Sequence, residues 1–157
     1  VVLSRYPIRH HVQYDLTWKT CEHRGMQRVD LALDDDTLHF YNVHLGTSLL
    51  ERRHQAAKLA SLVHDRRVGG PKIVLGDFNE WTKGLATQML SANLQSIDLT
   101  KHLKRRRTYP GVFPMVHLDH IYYEGQVEVV KLELPRTRAS LMASDHLPLV
   151  AELKVKF

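Results

Sequence analysis

The order of the predicted elements indicates an α/β fold built as a layered sandwich. Antiparallel strand patterns come first, helices and one buried strand follow, and strand patterns return towards the C-terminal end. The predicted strands cover residues 12–18, 26–33, 38–45, 72–75, 118–123, 127–134 and 149–155, and the predicted helices cover about 49–67 and 83–92. Because strands precede and follow the helices instead of alternating with them, the order differs from a strict βαβ repeat.

Alternation and spacing support the strands in turn. Residues 1–3 are expected to end a strand, with a turn at Pro7, and the three patterns up to residue 45 have the spacing of hairpins. In the second of them Val29, Leu31 and Leu33 fall on one face. Residues 72–75 form a short apolar run that stops at Gly76, which is typical of a buried strand.

Capping and periodicity predict the helices. Ser48 and Glu51 have the spacing of a capping box, so a helix is expected to begin there. Apolar residues at helical spacing follow, namely Leu49, Ala56, Leu59, Ala60 and Val63. Residues 69–71, Gly-Gly-Pro, are expected to end this helix, and Thr82 to cap the second one. Residues 98–116 are expected to be irregular and basic.

The length and composition indicate one globular domain over residues 1–157. A domain usually has ~100–200 residues, and 43% of this chain is hydrophobic, which is enough for a core. No apolar run reaches the ~18 residues of a membrane span, so no transmembrane segment is predicted. Cys21 is the single cysteine, which excludes an internal disulfide and a cysteine-rich zinc site. A reducing compartment suits it, and a cytoplasmic location is expected.

The charge balance favours anionic partners. The net charge is +5, and five basic residues lie between positions 101 and 107. This run has two interpretations. It contacts nucleic-acid phosphates or an anionic membrane, or it is simply the solvated face of a loop.

The strongest functional motif follows the buried strand at 72–75. Directly after Gly76 come a carboxylate, Asp77, and a carboxamide, Asn79. Three other segments carry polar groups at a strand end or just before a strand, namely residues 42–45 with His44, 118–121 with Asp119 and His120, and 144–149 with Asp145 and His146. Because strand ends from distant parts of a chain can meet at one rim, these groups are expected to form one site.

These residue types suit the hydrolysis of a phosphoester. A hard cation such as Mg²⁺ prefers carboxylate oxygens, for which Asp77, Asp119 and Asp145 are candidates. His44 and His146 are candidates for proton transfer or phosphate contact, and Asn79 for a neutral hydrogen bond. Each residue also has a purely structural interpretation, as a turn, surface or strand-end side chain.

The motifs argue against a serine hydrolase and against a histidine-rich zinc protein. Ser144, Asp145 and His146 are adjacent, whereas a catalytic triad converges from separate positions, and the Gly-x-Ser-x-Gly elbow of serine hydrolases does not occur. The eleven histidines do not form a His-Glu-x-x-His zinc motif either.

With these motifs the sequence resembles the endonuclease/exonuclease/phosphatase superfamily, which includes DNase I-like nucleases, abasic-site endonucleases, sphingomyelinases and inositol polyphosphate 5-phosphatases. The matching segments are residues 3–8, 40–45, 51–55, 74–81, 118–122 and 144–150. The order of Gly-Asp-Phe-Asn and Ser-Asp-His-x-Pro is highly specific. The resemblance implies a layered α/β/β/α sandwich of the DNase I-like type and a divalent-metal-dependent phosphodiesterase, using Mg²⁺ or Mn²⁺, with a nucleic acid or a phospholipid headgroup as substrate.

The resemblance also implies a role for each site residue. His44 would contact the scissile phosphate or assist the leaving group, Asp77 would orient or deprotonate the attacking water and bind metal, and Asn79 would hold the nucleophile or phosphate. Asp119 would accept a hydrogen bond from His146, and His146 would transfer protons and stabilise the transition state. Asp145 would sit at the metal.

One departure from the family pattern is large. Relatives begin with a strand carrying an Asn and then a strand ending in Gln-Glu, whose Glu is the main metal ligand, and this chain starts after both segments. The sequence is therefore expected to be the C-terminal portion of a longer enzyme, incomplete at the N-terminus, that is inactive alone or is completed by a second chain. The alternative is a non-catalytic fragment or pseudo-enzyme that acts as an anion-binding or interaction module.

Overall fold

A computed structural model describes residues 1–80, 84–92, 94–97, 99–104 and 107–157, with no side chain at 100 or 101. These residues form eight strands and four helices. The strands are β1 (Ile8–Asp15), β2 (Gly25–Leu33), β3 (Asp36–His44), β4 (Lys72–Asp77), β5 (Gln95–Ser96), β6 (Asp119–Glu124), β7 (Gln126–Glu133) and β8 (Val150–Lys156). The helices are α1 (Leu49–Val63), α2 (Leu85–Ser91), α3 (Leu99–His102) and α4 (Arg138–Ala143).

Six strands form one sheet in the order β1-β2-β3-β4-β6-β5, and β7 pairs with β8 in a second sheet. The pairing of β3 with β4 is parallel, while the other pairs are antiparallel. A parallel pair needs a long crossover, and α1 provides it, whereas residues 16–24 and 34–35 join the antiparallel strands on either side of β2. β4 lies between β3 and β6, and both strands pair with it up to Asp77 at its end.

The large sheet carries an apolar cluster on each face. Because successive side chains of a strand point to opposite faces, Tyr41 and Val43 of β3 join a cluster with Ala56 and Leu59 of α1. Leu38, on the same strand, belongs to the other cluster, which includes residues of β7 and β8. The layered α/β sandwich predicted from the sequence is thereby confirmed. No helix in the described ranges is long and apolar enough to cross a bilayer.

Several predicted boundaries were wrong. Residues 1–3 lie in no strand, and β1 runs from Ile8 to Asp15, not 12–18. Two short helices, α3 and α4, were missed, because four to six residues carry too little periodicity to identify a helix. The predicted cap Thr82 lies outside the described residues, and Gly84 precedes α2.

The first helix differs from its prediction at both ends. It ends at Val63 instead of 67, and turns fill the chain up to the glycines. Ser48 is the N-terminal cap residue, but its side chain makes no capping hydrogen bond. Glu51 is buried, and it accepts a hydrogen bond from Gln55 Nε2 at 3.0 Å instead of reaching back to the cap. Tertiary burial therefore overrides the capping-box pattern.

A buried ion-pair cluster ties β2 to β3 and to the turn before β4. Asp30 accepts hydrogen bonds from Arg28 Nε at 2.8 Å and Nη2 at 2.7 Å, and His39 Nδ1 lies 2.7 Å from its Oδ1. His39 Nε2 lies 2.9 Å from the carbonyl oxygen of Gly69. The pKa of Asp30 is lowered, since the bonds from Arg28 and His39 outweigh its burial. The charge of Asp30 therefore supports both strands.

We expect the substitution Asp30→Asn to destabilise the fold by about 3 kcal/mol, because it leaves Arg28 buried without its counter-charge. Urea unfolding followed by circular dichroism measures this loss. The matched control is Glu133→Gln, which removes an exposed ion pair with Lys131 and should hardly move the unfolding midpoint. Equal midpoints for the two variants would contradict a stabilising role for the buried cluster.

Candidate active site

Three strand ends place three site residues side by side. In the parallel pair of β3 and β4, His44 lies opposite Asp77. In the antiparallel pair of β4 and β6, Asp77 lies opposite Asp119. The strand-end positions noted in the sequence therefore lie in one row across the middle of the sheet.

Gly76 permits this arrangement. Its φ is +141°, and a Cβ atom built on it would lie 1.9 Å from the carbonyl oxygen of Val43 on β3. Any other residue would push β4 away from β3 just before Asp77. The glycine of the Gly-Asp-Phe-Asn motif thus has a packing reason as well as a conformational one.

Asp77 lies at the centre of the site. Its Oδ1 accepts a hydrogen bond from the backbone N–H of Asn79 at 2.8 Å. Its Oδ2 faces two imidazoles, His44 Nε2 at 3.5 Å and His146 Nε2 at 3.8 Å. Burial raises the pKa of Asp77, and the nearby charge of Asp119 adds to this, while the bond from Asn79 opposes it. A half-buried carboxylate between two histidines is suited to accepting a proton.

Asn79 closes the loop after β4 by bonding to the end of β3. Its Nδ2 donates to the carbonyl oxygen of Leu45 at 2.8 Å, and its backbone is left-handed with φ 50°. The side chain is buried at the wall of the pocket. Because a carboxamide has two N–H donors, this bond leaves one of them for another acceptor.

His146 reaches the row of strand ends from the loop before β8. Its Nδ1 donates to Asp119 Oδ2 at 2.9 Å, which turns Nε2 towards Asp77. The ring of Tyr109 lies against it, with centroids 4.9 Å apart. Burial lowers the pKa of His146, but the Asp119 bond and the charges of Asp119, Asp77 and Asp145 outweigh burial, so the pKa is raised. The arrangement favours the imidazolium form.

Arg24 is a site residue that the sequence analysis missed. Its Nη1 lies 3.1 Å from Nδ1 and 3.0 Å from Nε2 of His44, which places the guanidinium over the imidazole ring. Nη2 donates to Glu22 at 2.7 Å, and the Arg24 side chain is only 11% exposed. The hairpin register could have revealed it, because the residue after Arg24 pairs with His44.

These side chains line one cavity of about 860 Å³. All six predicted site residues border this cavity, namely His44, Asp77, Asn79, Asp119, Asp145 and His146. His120 does not line it. Further lining residues that sequence reasoning did not select are Arg24, Arg52, Arg53, Glu80 and Tyr109. Asp145 is exposed at its rim, and its carbonyl oxygen accepts from Gly111 N–H at 2.6 Å.

The loop between β3 and α1 is held by buried polar contacts. Gln55 Oε1 accepts a hydrogen bond from the backbone N–H of Gly46 at 2.7 Å, and Gln55 Nε2 donates one to Glu51 Oε1 at 3.0 Å. Arg52 donates to the carbonyl oxygens of Gly46 and Thr47. Since Gly46 lies two residues after His44, this network positions the His44 side of the cavity.

Metal ligands are few within the described part of the chain. No group of three or more His, Cys, Asp or Glu side chains there is arranged around one point that could hold an ion. Asp77 and Asp145 both border the cavity, whereas Asp119 is engaged by His146. The carboxylates that face the cavity therefore suit an ion that takes most of its ligands from water or substrate.

The hydrogen bond between Asp119 and His146 predicts that the pKa of His146 depends on Asp119. Asp119→Asn should lower the pKa of His146, because it removes the hydrogen bond and the charge that raise this pKa above its ordinary value of 6.5. NMR titration of the His146 Cε1–H signal measures the change, and Asp35→Asn, in an exposed turn, should leave it unchanged.

The same pair has a defined effect on stability. The pKa of His146 is higher in the folded protein than in the unfolded chain. The interaction with Asp119 therefore stabilises the fold fully below pH 6.5, and this stabilisation is lost as the pH rises through the raised pKa. An unaltered His146 titration in Asp119→Asn would refute this assignment.

Comparison with known proteins identifies the family. The model of the endonuclease/exonuclease/phosphatase family matches residues 1–146. The Escherichia coli K12 protein YbhP is 37% identical over 156 residues, which is 97% of this chain but 61% of YbhP. This chain thus spans about three fifths of the length of that relative.

Solved structures agree in fold. A Bacteroides vulgatus endonuclease/exonuclease/phosphatase superposes with a TM-score of 0.80 at 19% identity, covering 96% of this chain and 67% of the other. A Bacteroides thetaiotaomicron mannosyl-6-phosphatase does so with 0.74 at 19% identity, covering 95% and 67%. By its family match over most of its length and by its fold, this chain belongs to the endonuclease/exonuclease/phosphatase family.

Proposed function

We propose that the protein hydrolyses a phosphodiester by in-line attack of an activated water, with help from a divalent cation. The observation that carries this proposal is the convergence of His44 and His146 on Asp77, within 3.5 and 3.8 Å, at the wall of one cavity. Family membership supports phosphoester hydrolysis in general.

The water would be activated at Asp77. Its Oδ2, which faces both imidazoles, is placed to orient the water and to accept its proton. As the water oxygen bonds to phosphorus, its proton passes to Asp77 and the bond to the leaving oxygen breaks. Asn79, which is held against Leu45, has one N–H left to orient the water or a phosphate oxygen.

The histidines and Arg24 would stabilise the charge that develops on phosphorus-bound oxygens. His146 is favoured as an imidazolium, so its Nε2–H is available to a phosphoryl oxygen or to the leaving group. His44, which also faces Asp77 Oδ2, would contact the phosphate. Arg24, stacked over His44, adds a permanent positive charge beside it.

Mg²⁺ or Mn²⁺ is the proposed cofactor, and Asp77 and Asp145 are the residues that would hold it. Magnesium sites commonly use one or two carboxylates plus water and substrate phosphates, which fits the small donor set at this cavity. When bound, the ion neutralises charge on the phosphoryl group. The proposal concerns the activity of the whole protein, since relatives are longer than this chain.

Nucleic acids and phospholipids are both candidate substrates. The net charge of +5 favours a polyanion, and Arg24, Arg52 and Arg53 line the cavity. The mannosyl-6-phosphatase among the structural neighbours adds phosphomonoesters to the comparison. Parallel assays on bis-p-nitrophenyl phosphate, p-nitrophenyl phosphate, DNA and phospholipid vesicles separate these classes, and exclusive hydrolysis of the monoester would overturn the diester proposal.

We expect His146→Asn to lower kcat/KM for bis-p-nitrophenyl phosphate by roughly 10²–10⁴, the range of a lost general acid or base. The measurement uses the full-length gene product with Mg²⁺ or Mn²⁺. His10→Asn, on exposed β1, is the control and should keep full activity. If His146→Asn hydrolyses the diester at the wild-type rate, the assigned role of His146 is wrong.

We further expect EDTA to abolish hydrolysis, and Asp145→Asn to weaken Mg²⁺ binding measured by calorimetry, because it removes one of two proposed carboxylate ligands. Asp35→Asn again serves as the control. A protein that binds neither ion and hydrolyses no phosphoester would instead support the alternative, an anion-binding or interaction module without catalysis.

A further inference from the structure

A tight turn projects from the wall of the cavity. Residues 109–116 fold back on themselves, because the Tyr109 carbonyl oxygen accepts from Met115 N–H at 2.8 Å and Val116 N–H at 2.9 Å. Phe113 N–H donates to the carbonyl oxygen of Pro110 at 3.1 Å. The tip of the turn is therefore held by its own backbone.

This turn rests on the segment around α4. Gly111 N–H donates to the carbonyl oxygen of Asp145 at 2.6 Å, and Arg136 Nη2 donates to that of Val112 at 2.5 Å. Leu141 of α4 lies within van der Waals distance of Gly111. Since Tyr109 and Asp145 both line the cavity, the turn and α4 stand next to its mouth.

The turn and α4 expose large apolar side chains, which we call the apolar rim. Its four members are Val112, Phe113, Met115 and Met142, with exposures of 70%, 72%, 59% and 76%. No residue of α4 is buried. Neighbouring exposed side chains of this size are typical of an interaction surface, because water is an unfavourable environment for them.

The chain around the apolar rim is predominantly basic, and Asp145 is the exposed acidic residue beside it. Between positions 99 and 118, and again between 134 and 144, the sequence contains neither Asp nor Glu. The basic residues of these stretches are Lys101, Lys104, Arg105, Arg106, Arg107, Arg136 and Arg138. Those whose side chains the structure describes, Lys104, Arg107, Arg136 and Arg138, are all exposed. The surface thus combines apolar tips with flanking cations.

We propose that the apolar rim and its flanking cations bind the surface of an anionic phospholipid bilayer. Phe and Met side chains are accommodated at the acyl boundary of a bilayer, while Lys and Arg are attracted by anionic headgroups. A second copy of the chain would bring like charges together, which opposes self-association. Nucleic acid would pair with the cations but would leave the apolar rim in water.

Binding in this orientation directs the cavity towards the headgroups. Asp145 takes part in both features, with its backbone bonded to the turn and its side chain at the cavity rim. This inference goes beyond the proposed function, because attachment to a bilayer does not require hydrolysis. The attachment is measured without any substrate turnover.

Sedimentation with phosphatidylcholine vesicles, with and without phosphatidylglycerol, tests the proposal on the full-length gene product. Wild type should bind only the anionic vesicles. Phe113→Ser and Met142→Ser should each weaken binding roughly tenfold through lost apolar burial, and Arg138→Gln roughly fivefold. Val130→Ser, an exposed apolar position on β7, is the matched control and should bind as wild type does.

Each other outcome overturns the proposal. These outcomes are no vesicle binding, equal binding of wild type and both rim variants, loss of a dimer in the rim variants under analytical ultracentrifugation, or an equal loss of DNA binding in them. Hydrolysis of bis-p-nitrophenyl phosphate, which is soluble, should be the same in wild type and rim variants. A rim variant that no longer binds vesicles but hydrolyses bis-p-nitrophenyl phosphate at the wild-type rate therefore shows that the rim acts in membrane binding and not in catalysis.

Discussion

The close approach of β4 to β3 at Gly76 is the constraint on which the site depends. At this point the backbone of Val43 occupies the space that a side chain on residue 76 would need. Parallel pairing then sets His44 against Asp77, and the antiparallel neighbour β6 sets Asp119 on the other side. Because these contacts are made by backbone registers, His44, Asp77 and Asp119 are positioned by rigid sheet and not by loops.

Two histidines, an arginine and a second carboxylate surround Asp77. Asp119 holds His146 and favours its imidazolium form, while Arg24 covers the face of His44. Burial and the neighbouring carboxylate make Asp77 easier to protonate than an ordinary aspartate. One cavity wall therefore combines a proton acceptor with cationic groups, which is the combination that attack on a phosphorus atom requires.

Errors in the sequence predictions have a common cause. Glu51 looked like a capping residue because only its distance from Ser48 was visible, whereas the fold buries it beside Gln55 to support the Gly46 loop. Arg24 was overlooked because no motif surrounds it, and only the β2–β3 register brings it to His44. Local patterns describe what a segment prefers, and tertiary contacts decide which preference is realised.

The sequence by itself determined the types of the longer elements, the α/β class and the identity of the polar groups at strand ends, since apolar periodicity and glycine positions are local properties. Only the tertiary structure decided that those groups share one cavity, that His146 is turned by Asp119, and that Arg24 joins them. The physical reason is that distances between residues far apart in the chain follow from strand order and register, which no local pattern encodes. The apolar rim likewise became visible only as exposed surface, since its residues read as ordinary apolar positions in the chain.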